Sequence, residues 1–443
     1  MTLFNPQLSA PNKKRLPSAL AITLIIFFLI SLAPLIATCE PTAPENKWEE
    51  KAEKALDQGS FEEAINSFEK ALKADIKILG VSHPKIAIYW NQLAIAWNRL
   101  GKHDKALQYY QKALESDLKN FGPDDPNVGL RLNNIGSTLH SKKEYDKAID
   151  YYQRALKIHL KVYGENDYKT ALIWNNLGQA RREMGYYIKA LEYFEKYLKV
   201  SIDTFGEEHE SIAKTWNEIG ETLNEKSDFQ KAIPFFQKAL KSNTKNFGEN
   251  GKATLRNIRN LGRSWYGVGQ YDEAIKYTER ALQIDLANLG ENHQEVATDW
   301  GNLGELWSIK GDYAKGLEYL EKALASNIRN FGPDHPEVAD DLNKIGAMWY
   351  RRNEFGKAIE YFEKALTLKS KFYGENHPEV SAELSNLGTA WHSKGHYQKA
   401  MEYYQKAMAI FRKSGMTQRI KQLERPIQIL KSQMAEKSSD SKK

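Results

Sequence analysis

Apolar residues recur at helical spacing in two successive segments between Trp174 and Gly206, and this pattern predicts a pair of α-helices. In the first segment, Trp174, Leu177 and Gly178 lie at i, i+3 and i+4, so one helical face carries two bulky side chains and a gap for a neighbouring helix. After a break at Gly185, the helical spacing resumes with Tyr187, Ala190, Phe194 and Leu198. Gly206 then predicts the end of the second helix, because glycine takes the left-handed conformation readily. We call the first helix A and the second helix B.

This two-helix unit repeats along the chain at a strict period of 42 residues, without an insertion. The terminal glycine recurs at Gly80, Gly122, Gly164, Gly206, Gly248, Gly290, Gly332 and Gly374. The Leu or Ile of helix A recurs at Leu93, Ile135, Leu177, Ile219, Leu261, Leu303, Ile345 and Leu387. The alanine of helix B recurs at Ala64, Ala106, Ala148, Ala190, Ala232, Ala274, Ala358 and Ala400, and the still smaller Gly316 replaces it once. Such self-similarity indicates a solenoid, in which each helix pair buries its apolar face against its neighbours.

The order of residues within each unit resembles the tetratricopeptide repeat. The second copy carries that pattern at Trp90, Leu93, Trp97, Gly101, Ala106, Tyr110 and Ala113, with Ala94 in place of the helix-A glycine. The period is about eight residues longer than the usual 34-residue form. The extra residues form linkers such as YGENHPEV at 373–380. This longer form resembles the kinesin light chain type of tetratricopeptide repeat, which is also widespread in bacterial proteins.

The resemblance implies an all-α, right-handed superhelical solenoid of nine tetratricopeptide-like helix pairs with a C-terminal capping helix. We expect the solenoid to span residues 46–412, and a capping helix and disordered tail to fill residues 413–443. In the first unit, Lys51 replaces the Leu or Ile of helix A, as suits a terminal repeat whose outer face meets water. The capping helix is predicted from Met416 to Lys437, and Pro426 should kink or interrupt it.

Residues 1–45 lie outside the repeats and have the pattern of a signal or membrane-anchor segment and linker. Lys13, Lys14 and Arg15 precede an uncharged apolar stretch at residues 16–38, and acidic residues follow it. This charge order keeps the N-terminus in the cytoplasm and directs the following chain across the membrane. An apolar span of about 20 residues is long for a cleaved signal and long enough to cross a bilayer, so cleavage and retention both stay open. The expected location is exported or membrane-anchored, in a bacterial periplasm or cell envelope.

The single cysteine, Cys39, follows Leu-Ile-Ala-Thr, which resembles a bacterial lipoprotein cleavage box. The resemblance implies lipid attachment to Cys39 after removal of the signal, although Thr38 departs from the small residue expected before it. The alternative is that Cys39 is a small apolar residue at the end of a membrane segment. A chain with one cysteine forms no internal disulfide.

Neither nucleic-acid binding nor catalysis is expected from the remaining sequence. A net charge of +6 is spread over a mixed surface without a block of like charges that would suggest a nucleic-acid arm. Residues 248–254 (GENGKAT) resemble a phosphate loop, but they fill the linker position and lack its first glycine and its Ser/Thr. Histidine recurs at the same place in five of the linkers, at His83, His209, His293, His335 and His377. Because successive repeats lie about 10 Å apart and zinc holds its nitrogen ligands at about 2.1 Å, we interpret these histidines as linker residues. We expect no enzyme and no cofactor.

The candidate site is the inner face of the A helices. In tetratricopeptide arrays helix A lines the concave groove, and by resemblance the positions one and two before the Leu/Ile face it. Asparagine fills many of these positions: Asn91, Asn133, Asn134, Asn175, Asn176, Asn217, Asn260, Asn302, Asn343 and Asn386. Since a carboxamide donates and accepts hydrogen bonds, this asparagine ladder could hold a peptide backbone in extended form. The alternative is that some of these asparagines only bridge neighbouring helices.

The sixth repeat adds positive charge to this face, with Arg256, Arg259 and Arg263 beside Asn260. Three arginines could bind the carboxylates of an acidic ligand in paired hydrogen bonds. The alternative is internal salt bridges to Glu218, Glu221 or Glu305. The sequence thus predicts a scaffold that binds a protein or peptide, with an acidic ligand as one candidate, and a membrane attachment through its N-terminus. The rival is an accessory or regulatory subunit of a membrane-bound enzyme or secretion complex.

Overall fold

The computed structural model describes residues 47–440, with side chains to residue 435, and all regular secondary structure in this range is α-helical. Nine helix pairs and one further helix follow each other along it. The A helices are α1 (Lys47–Asp57), α3 (Pro84–Arg99), α5 (Pro126–Ser141), α7 (Tyr168–Glu183), α9 (Glu210–Glu225), α11 (Lys252–Val268), α13 (Gln294–Lys310), α15 (Pro336–Arg351) and α17 (Pro378–Ser393). The B helices are α2 (Phe61–Leu79), α4 (His103–Phe121), α6 (Tyr145–Tyr163), α8 (Tyr187–Phe205), α10 (Phe229–Phe247), α12 (Tyr271–Leu289), α14 (Tyr313–Phe331), α16 (Phe355–Tyr373) and α18 (Tyr397–Lys413), and α19 (Thr417–Asp440) follows them. The prediction of an all-α solenoid with nine pairs and a cap is confirmed.

The chain divides into two compact units, Met1–Thr204 and Phe205–Lys443. Within each unit, helices pack chiefly against the helices that precede and follow them in sequence. The described part of unit 1 contains repeats 1 to 4, and unit 2 contains repeats 5 to 9 and α19. Each unit is therefore built from nearest-neighbour contacts, as expected of a solenoid.

A close contact between helix A and helix B recurs inside the repeats. In repeat 5, a Cβ atom added to Gly220 would lie 2.7 Å from ring atoms of Phe236, so the ring lies directly on the backbone of helix A. The same contact joins Gly136 to Tyr152, Gly178 to Phe194, Gly346 to Phe362 and Gly388 to Tyr404. The helix-B alanines of the pattern are fully buried beside it. The gap that the sequence predicted on helix A is thus filled by a ring of the same repeat.

The glycine that ends each B helix has a different backbone conformation from the predicted one. Gly248 has φ 76° and ψ 175°, and Gly164 has φ 80° and ψ −179°. This extended region at positive φ is open essentially to glycine alone. The prediction of a glycine stop is confirmed, but the left-handed helical conformation was wrong, because the chain leaves helix B in an extended direction to enter the linker.

The last linker residue before an A helix caps the N-terminus of that helix. The Nδ1 atom of His335 accepts a hydrogen bond from the backbone N–H of Glu337 at 3.2 Å, and its ring stacks on Phe331 at 4.5 Å between centroids. His83, His209, His293 and His377 cap their helices in the same way. Pro336 occupies the first turn of its helix, as predicted from the sequence. Gly251 fills the capping position in residues 248–254, so this stretch is a linker variant.

Helix α19 covers the end of repeat 9. Leu423 and Leu430 are buried against residues of α17 and α18, with Ile420 and Ile427 partly buried beside them. The predicted capping helix is confirmed, but Pro426 does not interrupt it. A proline removes one backbone N–H donor, and the buried leucines on both sides of it anchor the two halves of the helix.

No helix within residues 47–440 is long and apolar enough to cross a bilayer. The apolar stretch at residues 16–38, and Cys39 after it, lie outside the described residues.

The ring contact predicts effects of different size for one substitution in two neighbouring repeats. In repeat 6 the ring is replaced by Thr278, and a Cβ on Gly262 would lie 3.3 Å from its Oγ1 atom. We expect Gly220→Ala to lower the free energy of unfolding by about 1–3 kcal/mol, because Phe236 must move. The matched Gly262→Ala should change it by less than about 1 kcal/mol, because the small shift that Thr278 must make is offset by the preference of alanine for the helix. Urea denaturation of both variants measures the difference, and equal destabilisation would contradict the ring contact.

Candidate peptide-binding face

The asparagines of unit 1 join neighbouring A helices by side-chain hydrogen bonds. Asn134 on α5 donates from Nδ2 to Oδ1 of Asn91 on α3 at 3.0 Å, and Asn176 on α7 donates to Asn133 on α5 at 2.8 Å. In both pairs, the donor stands one place before the Leu/Ile and the acceptor two places before it in the preceding repeat. The bridging role that the sequence left open is therefore present.

Unit 2 repeats this arrangement in two places. Asn260 donates to Asn217 at 3.0 Å, and Asn386 donates to Asn343 at 2.8 Å. Between repeats 7 and 8, Gly301 replaces the acceptor and Lys344 replaces the donor, and Nζ of Lys344 lies 2.8 Å from the place that a Cβ of Gly301 would take. The remaining ladder residues, Asn175 and Asn302, lie half-buried on the same helix-A face.

In unit 1, these hydrogen bonds leave much of each carboxamide unused. A pair of this kind uses one N–H of the donor asparagine and the oxygen of the acceptor asparagine. The oxygen of the first side chain and the two N–H groups of the second have further capacity. Asn133, Asn134 and Asn176 are half-buried, so these groups lie close to solvent with their orientation already fixed.

The helix-A face of repeats 2 to 4 in unit 1 is neutral and partly apolar. Ile88 stands five residues before the Leu/Ile of α3 and is 49% exposed. Leu130 and Leu172 occupy the same position on α5 and α7 and are half-buried. The nearby Lys85 forms ion pairs with Glu49 and Asp75 at 2.9 and 3.0 Å. The face of repeats 2 to 4 therefore combines apolar side chains with carboxamides.

The three arginines of repeat 6 differ in their contacts. Arg256 binds Glu221 in a bidentate pair, with Nε and Nη2 each 2.9 Å from a carboxylate oxygen. This is one of the internal pairs that the sequence allowed. Arg259 instead pairs with Asp285 and Glu295, and with Asp299 at 3.5 Å. Glu305 pairs with Arg351 at 3.5 Å. Arg263 is exposed and forms no ion pair within 4.0 Å in the described part of the chain.

Buried polar pairs between repeats form a second set of contacts, which the sequence analysis missed. A polar residue on helix B meets the residue 14 positions later, on the next A helix. We call these contacts rungs. The rungs with direct contacts are Asp75–Tyr89, Asp117–Arg131, Asn243–Asn257, Asn327–Asp341 and Lys369–Glu383, at 2.6–2.9 Å. The signal in the sequence is a polar residue of changing type at one fixed place in the period.

Three carboxyl groups at rung positions of unit 2 lie deep in the protein, and one of them, Asp299, stands 14 residues after Asp285 and shares Arg259 with it. Burial raises the pKa of Asp341 to about 6, although Lys344 opposes the shift. Burial likewise raises the pKa of Asp299 and of Glu383 to about 7, against the attraction of Arg259 and Lys369 respectively. The cost of removing a carboxylate from water thus exceeds the gain from the neighbouring cations.

Comparison with known proteins supports the repeat assignment. The family model described as tetratricopeptide repeat matches residues 46–119, 130–203, 211–287, 300–371 and 350–413. Among solved structures, RapI in its apo form is 14% identical with a TM-score of 0.61, covering 84% of this chain and 98% of RapI, and shows the same fold. BtubC (BKLC) from P. vanneervenii is 21% identical with a TM-score of 0.43, covering 52% of this chain and 92% of BtubC. A putative kinesin light chain of Podosopora anserina with nearly identical TPR-like repeats is 20% identical with a TM-score of 0.40, covering 46% and 98%. No curated protein sequence matches the chain.

The buried carboxyl of Asp341 predicts that unit 2 loses stability as pH rises. Its folded pKa, about 6, exceeds the ordinary value of 3.8. The stabilisation is therefore complete below pH of about 4 and is lost as pH rises through about 6. Asp341→Asn should flatten the pH dependence of the unfolding free energy by roughly 2–3 kcal/mol between these limits. Urea denaturation at each pH measures it, with the exposed Glu321→Gln as control. An unchanged profile in Asp341→Asn would show that this carboxyl does not titrate in the fold.

Proposed function

Because the chain belongs to the tetratricopeptide repeat family, we propose that it is a protein-interaction scaffold that binds an extended segment of a partner protein along its A helices. The observation that carries the proposal is the pair of hydrogen bonds from Asn134 to Asn91 and from Asn176 to Asn133. These bonds hold a row of carboxamides in fixed orientation along repeats 2 to 4.

The chemistry of this row fits a peptide backbone. The unused oxygens accept from peptide N–H groups and the unused N–H groups donate to peptide carbonyls, whatever side chains the peptide has. Ile88, Leu130 and Leu172 border the row and offer apolar contact to side chains of the segment. Because repeats 2 to 4 of this face lack a net charge, we propose a neutral segment with apolar residues as the ligand of unit 1.

Binding of an acidic ligand in unit 2 is a second proposal. The ion pairs of the repeat-6 arginines reduce the number of cations that are free to bind it. Arg256 is bound to Glu221, and Arg259 is bound to Asp285, Glu295 and Asp299. These arginines already have carboxylate partners, so Arg263 becomes the principal candidate for a ligand carboxylate. A single exposed cation contributes little. We therefore propose the helix-A face of unit 1 as the principal binding site.

The proposed role is non-catalytic and without a cofactor. Within residues 47–440, no group of three or more His, Cys, Asp or Glu side chains could hold a metal ion. The perturbed carboxyls of Asp299, Asp341 and Glu383 lie in rungs between repeats, where their contacts are structural. The alternative role as accessory subunit of a membrane-bound enzyme or secretion complex uses the same binding face, and the identity of the partner separates the two.

The proposal also includes export or membrane anchorage through residues 16–38, with Cys39 as the candidate site of lipidation. Its support is the order of basic, apolar and acidic residues in the N-terminal sequence. The interaction face would then work outside the cytoplasm.

Site-specific photo-crosslinking tests the binding face. A photoreactive residue replaces Gln92, Ser137 or Gln179 on the A helices, and in matched controls it replaces the exposed Gln111, Gln153 or Glu195 on the B helices. In cells that express the full chain, we expect one shared partner to crosslink from the A-helix positions only. Equal crosslinking from both sets would contradict binding along the A helices.

A charge placed on the apolar border should weaken that binding. Ile88→Asp removes an exposed apolar contact, so we expect about tenfold weaker affinity for the crosslinked partner. The matched control is Ile188→Asp, because Ile188 is 65% exposed on α8. Both variants should keep the wild-type melting temperature. If the two lower the affinity equally, Ile88 does not line the binding face.

A reporter fusion tests the N-terminal segment. An enzyme reporter that is active only outside the cytoplasm, fused after residue 45, should be active if residues 16–38 direct export. Mass spectrometry of the mature N-terminus distinguishes cleavage with a lipid on Cys39 from retention of the whole segment. A reporter that remains in the cytoplasm would overturn the proposed location.

A further inference from the structure

The turns between helix A and helix B in repeats 7, 8 and 9 each place two cations over one tryptophan. Lys310 and Lys315 lie over Trp307, with Nζ 5.1 and 4.2 Å from the ring centroid. Arg352 and Lys357 lie over Trp349 at 5.3 and 4.1 Å. Lys394 and Lys399 lie over Trp391 at 5.2 and 4.3 Å. We call this row of three indoles and six cations the tryptophan edge.

Most of the charge on the tryptophan edge is unneutralised. The stretches 310–316, 351–357 and 392–399 carry seven Lys or Arg against two carboxylates. Lys310 pairs with Asp272, and Arg351 pairs with Glu305. Asp312 caps α14 by accepting from the backbone N–H of Lys315. Within the described residues, no ion pair to a carboxylate within 4.0 Å involves any of five cations: Lys315, Arg352, Lys357, Lys394 and Lys399.

In repeats 3 and 5, which lack the tryptophan, the equivalent lysine pairs with a carboxylate instead. Lys147 in repeat 3 pairs with Glu144 at 2.7 Å, and Lys231 in repeat 5 pairs with Asp228 at 3.1 Å. Repeat 2 has the tryptophan, and there Lys105 alone lies over Trp97 at 4.1 Å. Shielding of an indole is thus achieved with one lysine. The second cations of repeats 8 and 9, Arg352 and Lys394, add unpaired charge beyond that need, whereas Lys310 in repeat 7 pairs with Asp272.

The tryptophan edge presents positive charge but few other groups that could recognise a peptide. The backbone N–H groups of its turns bond to carbonyls of the same turns, for example Asp312 to Trp307 at 3.0 Å and His396 to Trp391 at 3.0 Å. The large hydrophobic side chains that are exposed in the described residues lie outside these three turns. A peptide recognised here would find the backbone N–H groups of the turns already bonded and no fully exposed large apolar side chain. A fluid surface of many anions can instead place a headgroup beside each cation.

We propose that the tryptophan edge docks on the surface of an anionic lipid bilayer, by charge attraction to headgroups and without insertion. Each cation keeps one side against an indole, which holds its position while the other side meets the headgroup. Several such cations act together near an anionic membrane, and salt screens their attraction. This docking concerns repeats 7 to 9 and holds whether or not residues 16–38 enter the membrane.

Lysine footprinting on the full chain tests the proposal. The chain is reconstituted with vesicles of phosphatidylcholine alone or of phosphatidylcholine mixed with phosphatidylglycerol, and labelled with a membrane-impermeant amine reagent. We expect labelling of Lys315, Lys357 and Lys399 to slow by about threefold or more on the anionic vesicles. High salt should reverse the effect. Internal controls come from the same repeats: Lys322, Lys364 and Lys406 lie over Tyr319, Tyr361 and Tyr403 on the B helices and should label equally on both vesicles.

Matched variants decide between docking and other causes of slow labelling. The triple change Lys315→Gln, Lys357→Gln and Lys399→Gln should abolish the slowing at Lys394, while Lys322→Gln, Lys364→Gln and Lys406→Gln should leave it intact. Melting temperatures of both show that the fold is kept. Equal labelling of the edge on neutral and anionic vesicles would overturn the proposal. The proposal would also be overturned if soluble polyglutamate slowed the labelling of the edge lysines and anionic vesicles did not. That result would indicate that the edge binds an acidic polypeptide.

Discussion

The contact of a helix-A glycine with a helix-B ring is the constraint on which the rest of this solenoid depends. It sets the distance between the two helices of a repeat, as Gly220 and Phe236 show, because a Cβ at 2.7 Å from the ring would force the helices apart. The same contact recurs in repeats 3, 4, 5, 8 and 9, and it gives these helix pairs a similar spacing. Since successive repeats stack through their faces, this spacing allows the side chains of neighbouring A helices to meet at the same place in each repeat. The asparagine pairs of both units are a consequence of that regularity.

The regular part of the fold could be predicted from the sequence because it depends on short-range spacing. The 42-residue period located both helices of each pair and the glycine stops, and the apolar spacing after the last repeat located the terminal cap at α19. The bridging of asparagines was foreseen as an alternative, and the pair of Arg256 with Glu221 was among the internal contacts considered. All of these follow from positions on one helix or on adjacent A helices.

The contacts that could not be predicted join a B helix to the next A helix. The internal partners that the sequence suggested for the arginines were glutamates of neighbouring A helices, as the alternative to a ligand, whereas the partners of Arg259 include Asp285 on α12. The rungs such as Asn327–Asp341 were missed for the same reason. A polar residue on a helix is usually solvated, and its burial becomes apparent only when the packing of the next repeat is known. The ψ value of the terminal glycines could also not be predicted from the sequence, because it depends on the direction in which the linker leaves helix B.

The rungs also bear on how a gene of this kind can change length. Loss of one 42-residue period by recombination would preserve every repeat feature of the chain. It would nevertheless bring together residues that never met: without repeat 3, Asp117 would face Ile173 instead of Arg131, and a carboxyl that is 2% exposed would lose its hydrogen-bonded cation. A buried charge without its partner costs about 3–5 kcal/mol. Repeats that look alike in their apolar pattern are therefore not interchangeable, and two positions 14 residues apart must change together before the array can shrink or grow at that interface.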